Sequence, residues 1–154
     1  MKILVADDHA LVRAGLIAAL SQLEPEPRVF EAANAAEVME CLATVAELDL
    51  ILLDLFMPGA VELDLLRQVC SSAHSVPVVV LSASESAAHV RAALELGAAG
   101  YVPKSSSSEL LISALKLVLA GGVYMPAALM QAAPQPAGVM TTRSPQAGEL
   151  STLL

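Results

Sequence analysis

At 154 residues, with 56% hydrophobic and 16% charged side chains, the chain has room for one ordinary domain and a tail but not for two full domains. Its net charge of −8, from 16 acidic against 8 basic residues, excludes nucleic-acid binding by phosphate neutralisation through this chain alone and suits a pocket for a cation. A mean hydropathy of +0.66 raises the question of a membrane span, but in the longest candidate, Leu110 to Met130, Lys116, Gly121, Gly122 and Pro126 interrupt the ~20 apolar residues that a span needs.

Lys2 to Ala6 reads as a short strand that runs into Asp7 and Asp8. Those acids cut the apolar stretch before a signal-peptide core of roughly 7 to 15 residues is complete, so the expected location is the cytoplasm. Val12, Leu16, Ala19, Leu20 and Leu23 then recur at helical spacing until Pro25 and Pro27 stop them. Arg28 to Glu31 is a weak strand candidate, and Asn34 with Glu37 makes a capping-box start for a helix to about Ala46. Leu50 to Asp54 is wholly apolar up to its final carboxylate, the pattern of a strand covered on both faces, and Pro58-Gly59 supplies turn chemistry after it. A helix over Val61 to Cys70 follows, with Leu63, Leu66 and Val69 towards the sheet. Val76 to Leu81 is the most β-branched stretch and ends in Ser82-Ala83-Ser84. Ala87 to Leu96 reads as a helix closed by Gly97, Tyr101 and Val102 as a short strand ending at Pro103-Lys104, and Ser106 with Glu109 as the start of a last helix to Leu119, stopped by Gly121-Gly122.

Strands alternating with helices predict an α/β domain built as a doubly wound five-stranded parallel sheet. In such a sheet ligands bind outside the carboxyl ends of the strands. Asp7, Asp8, Asp54, Ser82 and Lys104 each follow a strand, so all five are expected in one crevice. Taken singly, Asp54 and Ser82 could be helix caps and Lys104 a balancing ion pair. Taken together, three carboxylates repel one another unless a hard divalent cation with oxygen ligands intervenes, and Mg²⁺ suits that donor set better than zinc. With a cation on one side, Lys104 on the other and the Ser82 hydroxyl nearby, the crevice has the parts of a clamp for a transferring phosphoryl group, with Asp54 as nucleophile. His9, His74 and His89 read as surface residues, and Cys41 and Cys70 as buried free thiols without metal-ligand spacing.

Asp7-Asp8, Asp54 with Met57-Pro58-Gly59, Ser82-Ala83, and Tyr101 with Lys104 together resemble the signature of the response-regulator receiver domains of two-component signalling. The resemblance covers residues 1–122 and implies a flavodoxin-like fold of strand order 2-1-3-4-5, the order given in general accounts of such receivers. It further implies that Asp54 is phosphorylated by a sensor histidine kinase. Asp8, Asp54 and the backbone carbonyl of Phe56 would hold Mg²⁺, with Asp7 acting through water. Lys104 and the backbone of Ala83 would contact the phosphoryl group, the small Ala83 side chain leaving room for it. Ser82 would be the switch hydroxyl and Tyr101 the aromatic that turns inward on activation. The run Gly100 to Ser105 resembles the NarL/LuxR subgroup. Two departures stand out: Pro103 precedes Lys104 where most such domains have proline after the lysine, and Glu62 replaces a frequent glycine.

Residues 123–142 are rich in Ala, Pro and Gln and read as a linker. Residues 143–154 resemble the opening of a LuxR-type helix-turn-helix, with Ser144-Pro145 as a capped start and Leu150, Leu153 and Leu154 on one face. The expectation is therefore a truncated output domain, with DNA contacted only through the missing part. The apolar last helix also predicts a homodimer. Competing expectations are a Mg²⁺-dependent phosphatase with an aspartyl nucleophile, of the haloacid-dehalogenase-like kind, and a receiver that serves only to dimerise.

Overall fold

Residues 1–126, except 60, 62 and 74, are described by the computed structural model of the chain. Five strands alternate with five helices: β1 (Lys2–Ala6), α1 (Ala10–Leu20), β2 (Arg28–Ala32), α2 (Ala35–Thr44), β3 (Leu50–Asp54), α3 (Asp64–Ser72), β4 (Val78–Ser82), α4 (Ala87–Glu95), β5 (Gly100–Pro103) and α5 (Ser108–Leu119). Every pairing is parallel and the order is β2-β1-β3-β4-β5, the flavodoxin-like topology expected.

The two-residue period of the strands divides the core in two. Ile3, Val5, Leu50, Leu52, Val79 and Leu81 face α1 and α5, where Leu20, Leu111, Leu115 and Val118 cover them. Leu4, Ile51, Leu53, Val78, Val80 and Tyr101 face the other way, against Val38 of α2, Leu66 and Val69 of α3, and Val90 of α4. With both faces covered, β3 and β4 are buried at every position, which is why they read as unbroken apolar runs. Truncating a central residue such as Leu52, which is 0% exposed, to Ala costs about 2–5 kcal/mol. β2 lies at the sheet edge and is buried only at Ala32, which accounts for its weak signal in the sequence.

Two helix starts differ from expectation. α3 begins at Asp64 instead of Val61; Leu65 is buried beside Leu66 and Val69, and Leu63 is half-buried against the same core. After β3, Gly59 takes φ +82° and the Ala35 N–H donates to the Pro58 carbonyl at 3.1 Å, tying the turn at Pro58-Gly59 to the start of α2. α5 is capped by Ser107, whose hydroxyl accepts the Leu110 N–H at 3.1 Å, and not by Ser106 with Glu109. Neighbouring serines offer the same cap chemistry, and burial of Leu111, Ile112 and Leu115 fixes which of them is used. At α2 the Asn34 side chain accepts the Glu37 N–H at 2.9 Å as expected, while the Glu37 carboxylate reaches back to the Ala33 N–H at 2.7 Å.

The chain does not leave the sheet at Gly122. Tyr124 forms a single parallel bridge to Gly100, its N–H donating to Ala99 and its carbonyl accepting from Tyr101. The Lys104–Ser105 peptide is trans, the cis bond among the described residues being Glu24–Pro25. No helix among the described residues is long and apolar enough to cross a membrane. The expected helix-turn-helix opening, most of the linker, His74 and Glu62 lie outside the described residues.

Candidate functional site

The strand ends converge as the parallel topology requires. Asp54 closes β3 and is 1% exposed; Asp7, one residue past β1, is 0% exposed; Ser82 closes β4 and is 0% exposed. These are the buried polar residues in a core otherwise made of apolar side chains. Lys104, one residue past β5, reaches across to both acids, with Nζ 2.8 Å from Asp7 Oδ2 and 3.0 Å from Asp54 Oδ2. Its own N–H donates to the Ser82 carbonyl at 2.8 Å, so the ends of β4 and β5 are fixed to each other. The other Asp54 oxygen, Oδ1, accepts the Phe56 N–H at 3.1 Å, which places the Phe56 backbone beside the carboxylate. Ala83 follows Ser82 at an exposed position on the same rim.

Burial pushes the Asp54 carboxyl above its ordinary pKa. The Phe56 N–H and Lys104 pull it back, and the Asp7 charge adds to the rise. Lys104 is also raised, for the opposite balance: burial works against its charge, but Asp7 and Asp54 together outweigh burial. One ammonium shared by two carboxylates is thus well held, while each carboxylate receives only part of a counter-charge. Two side-chain oxygens here are buried without an aligned hydrogen bond, Asp7 Oδ2 and Asp8 Oδ1. For Asp7 Oδ2 the nearby Lys104 supplies a charge contact without hydrogen-bond alignment. Three carboxylates gathered at one rim fit a hard divalent cation, and ligand atoms of Asp7, Asp8, His9 and Asp54 all lie within 4.8 Å of one another.

Residues 3–116 match the response regulator receiver domain family. The chain belongs to that family. It is 37% identical over 125 residues to the glycerol metabolism activator of Pseudomonas putida, a match covering 81% of this chain and 57% of that protein. It is 35% identical over 127 residues to the response regulator GacA of Pseudomonas aeruginosa, covering 81% of this chain and 58% of the relative. The chain thus spans little more than half the length of these relatives. Among solved structures, a LuxR family DNA-binding response regulator from Silicibacter pomeroyi superposes with a TM-score of 0.73 at 34% identity, covering 83% of this chain and 98% of that one. The family is one of signalling phosphoacceptors rather than turnover enzymes, which displaces the haloacid-dehalogenase-like alternative.

In this receiver three further residues support the site. The sequence places His9 at the surface and its side chain is 65% exposed, yet its Nδ1 lies 3.2 Å from Asp7 Oδ1 and 3.1 Å from Asp8 Oδ1. Arg13 donates to the Asp7 carbonyl at 2.6 Å and pairs with Glu31 at 2.9 Å, bracing the end of β1 from the first turns of α1. Ser84 donates its N–H to Ser82 Oγ at 3.0 Å, and its hydroxyl lies 2.7 Å from His89 Nδ1. The Ser84 carbonyl accepts the hydroxyl of Tyr101 at 2.8 Å, and Tyr101 is fully buried. Arg13 carried no sequence signal for its role, since its partners, the Asp7 carbonyl and Glu31, lie outside its own helix. Ser84 and His89 carried none, because their contacts are made by a loop.

Proposed function

We propose that this receiver accepts a phosphoryl group on Asp54 from a sensor histidine kinase and uses it to switch a C-terminal transcriptional output. The observation that carries the reading is the single buried carboxylate at the end of the central strand, faced by Lys104 and flanked by Asp7 and Asp8. An Asp54 oxygen attacks phosphorus, the bond from phosphorus to the kinase imidazole nitrogen breaks, and an acyl phosphate remains. Lys104, already 3.0 Å from Asp54, neutralises charge on the transferred oxygens. The Ala83 backbone lines the same pocket, and the Ser82 hydroxyl turns from the Ser84 N–H towards the phosphate as the switch.

Asp8, Asp54 and the Phe56 carbonyl would hold Mg²⁺, with Asp7 acting through water, and the ion would supply the charge compensation that lets an anionic donor approach three carboxylates. Tyr101 is the second switch element, the aromatic whose inward placement accompanies activation, and its hydroxyl bond to the Ser84 carbonyl supports that reading by linking it to the loop that holds Ser82. The receiver is proposed as residues 1–122, the linker as 123–142 and the start of the output module as 143–154. DNA contact belongs to that module, in the cytoplasm, as the regulators related to this chain suggest.

The test is incubation of the chain with acetyl phosphate, a small-molecule donor, with and without Mg²⁺. A single base-labile adduct that requires the cation and is absent from Asp54→Asn is the expected result. Wild-type labelling of that variant, or undiminished labelling in excess chelator, overturns the assignment.

A further inference from the structure

All three polar groups of Ser84 are engaged, each by a different element. Its N–H donates to Ser82 Oγ at the end of β4 at 3.0 Å, its carbonyl accepts the Tyr101 hydroxyl of β5 at 2.8 Å, and its hydroxyl lies 2.7 Å from Nδ1 of His89 in the first turn of α4. The Ser86 N–H also donates to that hydroxyl, at 3.3 Å, closing a turn within the loop. The contact to His89 stands where a helix cap is expected. Ser86 precedes α4 with extended backbone and a hydroxyl suited to capping, yet its side chain makes no hydrogen bond to the helix. Loop and helix are tied through Ser84 and His89 instead. His89 is exposed, but Val90 beside it is fully buried in the core under α4, so the ring stands on an anchored helix, whereas the loop is exposed at Ala83, Glu85 and Ser86.

We propose that His89 is a positioning residue that holds the loop after β4 in its unphosphorylated form, and so sets how readily the site takes a phosphoryl group. This inference concerns regulation of the site and rests on the phosphoacceptor reading proposed above. In that reading the Ser82 hydroxyl turns from the Ser84 N–H to the phosphate, which leaves the N–H without a partner unless the loop moves. Moving Ser84 gives up the contact with His89 as well, because one residue makes both. A contact made only in the unphosphorylated form shifts the balance of the two forms towards it by the free energy of that contact. For one hydrogen bond at a partly exposed position this is a factor of about two to ten.

The experiment titrates the full chain, His89→Ala, His89→Asn, Ser84→Ala and the Ser84→Ala, His89→Ala pair with beryllofluoride, an acyl-phosphate mimic, in excess Mg²⁺. Exchange of the residue 84 amide hydrogen is followed by NMR in the same proteins without beryllofluoride. His89→Ala is expected to bind the mimic about twofold to tenfold more tightly and to exchange that hydrogen faster by a similar factor. His89→Asn, whose side-chain amide keeps a polar atom at the place of Nδ1, should restore both towards wild type. With Ser84→Ala already present, removing the ring should change neither. A ring that merely supports the fold would on removal lower Tm and weaken binding, not tighten it. Unchanged or weaker binding by His89→Ala, an unchanged exchange rate, or an effect that persists in full without the Ser84 hydroxyl overturns the proposal. Beryllofluoride that fails to bind the wild type, or binds Asp54→Asn equally well, brings down the phosphoacceptor reading and this regulation with it, and the exchange rates then show separately whether His89 holds the loop.

Discussion

Lys104 balances two buried carboxylates with one charge, and the consequences are measurable at single residues. The Asp54 pKa is raised chiefly by burial, so the native protein holds that proton more tightly than the unfolded chain does. Stability therefore falls as pH rises from the ordinary carboxylate range through the raised value, and above it the penalty is complete. In chelator at neutral pH, Asp54→Asn is expected to be more stable than wild type by roughly 1 kcal/mol, a few degrees in Tm, with the advantage shrinking on the acid side. An unchanged or lower Tm at neutral pH contradicts the burial argument. Lys104→Met should do the reverse, leaving both acids without a counter-charge, and adding Asp54→Asn should recover part of the loss in a double-mutant cycle. Burial raises the thiol pKa at Cys70, and burial with the Glu40 charge does so at Cys41. Alkylation of the native protein at neutral pH should accordingly run about tenfold or more below the rate in denaturant.

At the scale of elements, β5 and the loop after β4 behave as one unit because Tyr101 joins them. Its ring fills the core under α4 while its hydroxyl holds the Ser84 carbonyl, and Ser84 in turn holds the Ser82 hydroxyl. Tyr101→Phe keeps the ring and loses one buried hydrogen bond, about 1 kcal/mol. Tyr101→Ala empties the pocket and should cost about 3–5 kcal/mol in urea denaturation. A similar cost for both would mean that the hydroxyl, not the packing, dominates. The loop after β3 depends on Gly59, where φ is +82° and an added Cβ would stand 3.3 Å from that of Ala35. Gly59→Val is expected to destabilise by about 1–2 kcal/mol or more, since a branched side chain is strained in that conformation whatever the space.

For the whole molecule, the expected self-association turns on what the last helix leaves exposed. α5 buries Leu111, Ile112, Ala114, Leu115 and Val118 against the sheet, so it is not apolar on a second full face, but Leu110 and Leu117 remain 38% and 45% exposed. Self-association of the phosphorylated chain through this helix and its surroundings is the expected outcome in sedimentation velocity, and Leu117→Glu should weaken it with little change in Tm. A strict monomer at high concentration sinks the prediction.

The doubly wound parallel sheet, its two-sided core and the gathering of Asp7, Asp54, Ser82 and Lys104 on one rim were legible in the residue pattern, while the strand order followed from the resemblance to receiver domains. Unbroken apolar runs can be buried only between two layers of helices, and a parallel sheet points every carboxyl end the same way. What the sequence could not decide is where equivalent local signals compete and where contacts join distant segments. Serines 105 to 108 all offer a cap, and packing of α5 selected Ser107. Val61 opens an apolar pattern of helical spacing, yet α3 begins only at Asp64, after the turn at Gly59 and the Ala35 to Pro58 hydrogen bond. His9 looks like any exposed histidine until β1 and α1 set its ring against two carboxylates, and Tyr124 looks like linker until the end of α5 returns it to the edge of β5. Each of these depends on which groups meet across space, which local spacing does not encode.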